Sequence, residues 1–316
     1  MLMEPLNGYV GYIINPKSGA GSGKRIVQRF KDYLSGAGVE VRAVFTQSLA
    51  HAKELAAGFA GDEGCALVTA AGGDGTVRQT GQGLEGAETP MMIIPCGTEN
   101  LIANEIGFDE RLRTLVRAFE SGSVKPFDLC SANGVCFGAI AGIGFDAEIV
   151  HRVNRDRCGH INHLDYFWPI WRTFWEHKFP VLDIKVDGEE IFHGQCMAFI
   201  GNISRYAVGL DILKHADFSD GMLDVCIYQC HSKPVQIKHS LMTVMKMHAD
   251  KGGVIYRKGK YVEVSSPEGR VDTQIDGDPG PDLPLKIDVI PQAVNVLVPP
   301  NAKPAGIRTR IIRALG

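Results

Sequence analysis

Residues 65–76 read CALVTAAGGDGT: an apolar run from Cys65 to Ala71, then Gly72, Gly73, Asp74, Gly75 and Thr76. The run has the length and composition of a buried strand, and the residues after Thr76 have a helical pattern through about Leu84. Three glycines allow the backbone to approach an anion and turn its N–H groups inward, and a following helix start adds a favourable dipole. A carboxylate inside such a loop is repelled by phosphate unless a cation lies between them, so Asp74 points to Mg²⁺-nucleotide chemistry. The competing reading of these residues is a tight strand-to-helix turn, since Gly and Asp are also common turn residues.

Working outward, residues 9–14 and 39–46 read as strands before this one, with helices over 24–35 and 51–59. A third helix spans 76–84 and a fourth strand 91–95. Such βα alternation predicts a parallel sheet with helices on both faces, whose ligands bind beyond the carboxyl ends of the strands. The loops there are Asn15, Pro16, Lys17, Ser18 and Gly19 after the first strand, Thr46 after the second, the glycine loop after the third, and PCGTEN (Pro95 to Asn100) after the fourth. Backbone amides, hydroxyls and a lysine therefore gather at one edge. The segment GAGSGK at 19–24 fails the dinucleotide pattern at Lys24. A P-loop would need Gly at Ser18 and Ser or Thr at Arg25.

After about Pro126 the pattern changes to strands separated by Gly, Asn and Asp turns, at 136–140, 181–186, 195–200, 223–228, 261–265, 285–290 and 295–298. This predicts an antiparallel sandwich or barrel. A helical insert covers 145–177 and another helix 235–248. The boundary falls near residue 130, giving domains of 1–130 and 131–300, with the tail from Asn301 expected against the first domain.

The 316 residues suffice for two domains. A net charge of −3 gives no global attraction to nucleic acid. The eight cysteines form no CxxC pair and read as reduced core residues of a cytosolic protein. Residues 1–8 carry no leader pattern, and no window holds 18 uninterrupted apolar residues.

NPKSG, a Thr after the second strand, GGDGT and PxGTxN in that order, followed by FSDGMLDV and IDGD, resemble the diacylglycerol kinase catalytic family, which includes sphingosine kinases and bacterial lipid kinases. The resemblance covers roughly residues 9–298. GGDGT alone occurs in NAD kinases and, nearly, in phosphofructokinases; the ordered set is more specific. It implies an α/β N-terminal domain of the NAD kinase/diacylglycerol kinase type, a mainly antiparallel β-sandwich C-terminal domain, and ATP-dependent phosphorylation of a lipid hydroxyl. Asn15 to Gly19, Thr46, Gly72 to Thr76 and Thr98 resemble ATP-contacting positions, with Asp74 orienting Mg²⁺ and phosphates.

In DFSDGMLD (217–224) the resemblance implies a structural Mg²⁺ on Asp220, with Asp217 and Met222 contributing; a type I turn is the plain alternative. Asp278 stands where bacterial members carry a Glu as general base, one methylene shorter; here too an acidic turn between strands is the alternative. Gln79 and Leu101 replace a Glu and an Asp common in the family, so diacylglycerol in particular is not implied.

Trp168, Trp171 and Trp175 fall on one helical face, with Arg152, Arg155, Arg157 and Arg172 within or before the segment. Such a face suits a membrane interface or a lipid entrance, and equally a helix packed on the β-domain. The basic tail, with Ile307, Ile311, Ile312 and Leu315, reads as a terminal helix. Cys158, His160 and His163 lack a fourth ligand at zinc spacing. The partners expected are a lipid substrate and a membrane surface contacted peripherally, with homodimerisation compatible and nucleic acid not. A soluble kinase of the NAD kinase type and a non-catalytic nucleotide-binding regulator are the rival functions.

Overall fold

The computed structural model describes residues 8–18, 22–155, 167–249 and 252–300. They divide into two compact units, one of residues up to Leu129 together with those from Pro291 onward, the other of Cys130–Ile290.

The first unit contains β1 (Tyr9–Ile14), α1 (Ser22–Gly36), β2 (Val41–Phe45), α2 (Leu49–Ala60), β3 (Cys65–Gly72), α3 (Asp74–Gly83), β4 (Met91–Pro95), α4 (Leu101–Glu105) and α5 (Leu112–Ser121). Strands β2, β1, β3 and β4 are adjacent in that order and all parallel. β3 and β4 are almost wholly buried, as strands covered on both faces must be, whereas β2 at the margin is only partly covered. α1 contributes Ile26, Phe30 and Leu34 to the core, and Tyr12 of β1 donates to the Val27 carbonyl at 3.1 Å. α2 starts two residues earlier than its apolar pattern suggests, because the Ser48 side chain caps it by accepting the His51 N–H.

β5 (Ser123–Ala132) leads into the second unit, which continues with β6 (Val135–Phe137), β7 (Ile140–Ile143), α6 (Phe145–Arg155), α7 (Phe167–Glu176), β8 (Val181–Val186), β9 (Glu189–Gly201), β10 (Arg205–Tyr206), β11 (Leu210–Asp211), β12 (Leu223–Gln229), α8 (Lys233–Val244), β13 (Val254–Gly259), β14 (Tyr261–Ser265), β15 (Thr273–Ile275), β16 (Asp278–Pro279) and β17 (Leu285–Val298). The long strand β9 serves two antiparallel layers. Its first half pairs with β8, which pairs with β14 and then the start of β17. Its second half lies between β7 and β12, continuing to β15 and β16 on one side and β13 on the other. Alternate residues of both layers, among them Leu182, Ile184, Ala198, Ile200, Val225, Val262 and Ile287, form one buried core.

This sandwich and the parallel sheet of the first unit are the architectures expected from sequence. In the insert over 145–177 the described residues form the helices α6 and α7, with 156–166 outside them. The expected strands 285–290 and 295–298 are one strand, β17, whose last part belongs to the first unit, where Val296 runs parallel to Met91. The Pro291-Gln292 punctuation does not break it: Gln292 takes φ +51°, and its N–H donates to Asp128 at 2.6 Å. The seven cysteines among the described residues are buried thiols. No helix of the described residues is long and apolar enough to cross a membrane. Gly19, the 158–163 cluster and the tail from Asn301 lie outside those residues.

Candidate functional site

In the first unit the strand ladder continues past the strand ends and fixes the loops side by side. Asn15 donates its N–H to Ala71, Thr46 to Ile14, and Cys96 to Gly72, at 2.9, 2.8 and 2.9 Å. Side chains complete the join. Asn15 Nδ2 donates to Thr76 Oγ1 at 2.9 Å while its Oδ1 accepts the Lys17 N–H at 3.0 Å. Asn100, in the left-handed region at φ +50°, accepts the Gly97 N–H and donates back to the Gly97 carbonyl, at 2.7 and 2.9 Å. The structure therefore brings Asn15, Thr46, Gly72 to Thr76 and the 95–100 loop together; Lys17 and Thr98 are exposed and Thr46 and Thr76 buried.

The glycine loop has a steric reason for its composition. A Cβ on Gly97 would stand 2.6 Å from the Gly73 Cα, and one on Gly72 would stand 2.5 Å from Thr76. Two loops touch backbone to backbone, a cradle that any side chain would fill. α3 begins at Asp74, two residues before the helix start expected from sequence, because the Gly73 carbonyl accepts from both Thr76 and Val77. Asp74 thus belongs to the first helical turn, where a carboxylate is stabilised, and its Oδ1 accepts the Ile102 N–H at 3.0 Å, orienting the acid toward α4. Backbone donors at a helix N-terminus, small residues and an oriented carboxylate fit a nucleotide phosphate with its cation. Burial pushes the Cys96 thiol beside this loop up to about 12, which makes it inert.

In the second unit Asp276 and Gly277, at φ +50° and +82°, form the tight turn joining β15 to β16, with Ile275 and Asp278 paired across it. Asp276 holds the turn down by accepting the N–H groups of Gly138, Ala139 and Ile140 at 3.0, 2.9 and 3.1 Å. Asp278 follows, half-buried, at the start of β16. The two acids of IDGD are therefore distinct: one anchors the turn, the other is presented by it.

The 217–224 loop is a self-bonded turn. Asp217 Oδ1 accepts from the N–H and Oγ of Ser219 at 3.0 and 2.8 Å, and Asp220 Oδ1 accepts the Met222 N–H at 3.0 Å. The ammonium of Lys258 sits 2.7 Å from Asp220 and 3.2 Å from the fully buried Asp224. Burial raises the Asp224 carboxyl, which Tyr256 and Lys258 partly counter. Its hard oxygen donors suit Mg²⁺ in type, with Asp220 shared with a lysine that sequence reading did not single out. Among the described residues no three His, Cys, Asp or Glu side chains group around a metal-sized space.

Sequence reading also missed Asp146, Tyr206 and Gln274. Tyr206 donates to Asp146 at 2.6 Å, and Gln274 accepts the Gly277 N–H at 2.9 Å. The available signal was an acid placed just after the apolar segment 140–143. On α7, Trp171 and Trp175 are 50% and 60% exposed and meet edge to face at 5.8 Å. Beside them a cavity of about 610 Å³ is lined by Arg152, Arg155, Arg172, Lys178 and Arg270 together with four acids.

Residues 10–132 match the model of the diacylglycerol kinase catalytic domain, and 139–298 that of the YegS C-terminal NAD kinase beta sandwich-like domain. A diacylglycerol kinase of Mycobacterium tuberculosis (strain H37Rv) is 31% identical over 300 residues, covering 92% of this chain and 96% of the relative. One from Bacillus subtilis (strain 168) is 26% identical, covering 91% and 95%. A crystal structure of a diacylglycerol kinase from Bacillus anthracis str. Sterne shares the fold at a TM-score of 0.72 with 20% identity, covering 95% and 100%.

Proposed function

The chain belongs to the diacylglycerol kinase catalytic family, and from that premise we propose that it transfers the γ-phosphate of ATP to a hydroxyl of a diacylglycerol- or sphingosine-like lipid. At family level it is a lipid kinase. The observation that carries the nucleotide half is the Gly73–Gly97 backbone contact at the start of α3, which only bare residues allow and which sets two glycine loops side by side at a helix N-terminus.

In this reading residues 1–130 bind the nucleotide and 131–300 the lipid. Mg²⁺-ATP supplies the transferable phosphoryl group. Asn15, Pro16, Lys17, Ser18, Gly19, Thr46, Gly72, Gly73, Gly75, Thr76 and Thr98 hold it, with backbone N–H groups and Lys17 compensating phosphate charge. Asp74 orients the cation. Asp278 takes the proton from the lipid hydroxyl; since phosphoryl transfer rests mainly on positioning and charge stabilisation, Asp serves where relatives carry Glu. A second, structural Mg²⁺ falls to Asp220, Asp217 and Met222, in competition with Lys258 for Asp220.

The exposed indoles of α7 and the arginines beside them support peripheral contact with an anionic membrane, aromatic rings at the headgroup level and guanidinium groups on phosphate. The test is labelled ATP with diacylglycerol, sphingosine, ceramide, monoacylglycerol and phosphatidylglycerol in mixed micelles, with NAD beside them. A labelled lipid is expected. Phosphorylated NAD alone, or ATP binding without any product, would overturn the reading.

A further inference from the structure

The second unit holds a half-buried acid, one carboxylate oxygen of which is shielded from solvent, that this chemistry does not use. Asp146 opens α6 directly behind β7, and its carboxylate lies over the bare Cα of Gly142. A Cβ built there would stand 2.4 Å from Asp146 Oδ2 and 2.7 Å from Gln274 Nε2. Gly142 and Gln274 are cross-strand partners of β7 and β15, so the acid and the amide share one face of that pair.

Hydrogen bonds lead from this acid to the turn that presents Asp278. Tyr206 donates to Asp146 Oδ1 at 2.6 Å. The fully buried Gln274 reaches Tyr206 Oη with its amide nitrogen at 3.4 Å, and its Oε1 accepts the Gly277 N–H at 2.9 Å. Gly277 directly precedes Asp278, and α6 packs against both β15 and β16. The turn is already anchored by three N–H groups on Asp276, so the second connection is not needed to close it.

Keeping an ionisable group here opposes folding. Burial pushes the Asp146 carboxyl up to about 6, with hydrogen bonds from Tyr206 and Gln274 offsetting only part of the rise. An acid that weakens the fold at neutral pH, linked by hydrogen bonds to the turn of a candidate base, fits a functional role better than a structural one.

We propose that Asp146 is a positioning residue of the phosphoryl transfer: through Tyr206 and Gln274 it sets the 276–278 turn and with it the carboxylate of Asp278. The inference rests on reading Asp278 as the base. Ionised, Asp146 accepts the Tyr206 hydroxyl; protonated, it competes as a donor and the chain to Gly277 loosens. The other titrating or charged groups on α6 and the elements against it are Glu148 with His177, His151 with Asp272, Arg152 and Arg172 with Glu176, Arg155, Asp276 and Asp278.

The test compares wild type, Asp146→Asn, Tyr206→Phe, Asp278→Asn and the Asp146→Asn/Asp278→Asn double variant, assayed with labelled ATP and diacylglycerol, sphingosine or monoacylglycerol in mixed micelles. Asp146→Asn is expected to lower kcat at least roughly tenfold with KM for ATP within about twofold, and to melt no lower than wild type at pH 7. Wild type is expected to show an acid limb near pH 6 in its kcat profile, and Asp146→Asn to lack it. Tyr206→Phe, which removes one hydroxyl and keeps the ring, should lower kcat in the same direction, and the double variant should be no slower than Asp278→Asn alone.

Wild-type kcat in both Asp146→Asn and Tyr206→Phe, an unchanged acid limb, or additive losses in the double variant would overturn the proposal and leave Asp278 standing. Wild-type turnover by Asp278→Asn, or no lipid product from wild type, would overturn the base assignment and this inference together.

Discussion

The two units do their work with different parts of the chain. In the first, the candidate chemistry is carried by backbone: glycines that touch, N–H groups at the start of α3, and a ladder that holds four loops at one edge. In the second it is carried by side chains, Asp278 together with Asp276, Asp146, Asp220 and Lys258, the last four held by partners distant in sequence. A backbone site tolerates variation in neighbouring side chains and fails when bulk is added. A side-chain site keeps its shape through hydrogen bonds and fails when one functional group is removed.

The sharpest way to break that contrast is Gly97→Ala. The added methyl would lie 2.6 Å from the Gly73 Cα, where only backbone movement can relieve it. Turnover is expected to fall on the order of a thousandfold, mostly through ATP binding, as read by kcat/KM and by calorimetric titration with Mg²⁺-ATP. A fold that binds ATP normally would show that the cradle is not where phosphate sits.

Asp276→Ala comes next and probes the second unit by subtraction. It leaves three N–H groups without their carboxylate and is expected to cost roughly 3 kcal/mol of unfolding free energy, measured in urea.

Asp146 gives an effect of opposite sign. Its folded-state pKa is about 6, raised from 3.8, so the acid favours folding only while protonated. That contribution is complete below about pH 3.8 and is lost as pH rises through about 6. Asp146→Asn should therefore exceed wild type in stability by about 2 kcal/mol at pH 7, after discounting the altered bond from Tyr206, and by much less at pH 4. Melting curves at the two pH values check it.

The smallest expected effect separates the units by ligand. Trp175→Ala, at a site 60% exposed, should weaken sedimentation with anionic vesicles about fivefold, near 1 kcal/mol, and leave ATP titration unchanged.

Legibility in the sequence follows the same division. The alternation from β1 to β4 and the glycine loop could be read because parallel strands are apolar runs and because glycine marks close backbone approach without any knowledge of the partner. Gly97 must be bare because Gly73 faces it, and each lies in a loop that the sequence marks. The start of α3 was misplaced by two residues because Gly73 caps it with its carbonyl alone, leaving no side-chain signal. In the second unit the sandwich was legible from alternation, but partners were not. Nothing local in IDGD tells the anchor Asp276 from the presented Asp278; that distinction comes from Gly138, Ala139 and Ile140, over 130 residues earlier. Asp146, Tyr206 and Gln274 are likewise joined only by folding. β17 was split in two because Pro291 and Gln292 mimic a turn, while Asp128 supports Gln292 in its left-handed conformation.

The central claim, that nucleotide binding belongs to the backbone cradle and phosphoryl acceptance to the acidic turn, is tested most directly by Asp278→Asn assayed two ways. Calorimetric titration with Mg²⁺-ATP should give a Kd within about twofold of wild type, while labelled lipid product falls at least roughly a hundredfold. Wild-type product formation, or loss of ATP binding along with the product, would contradict it.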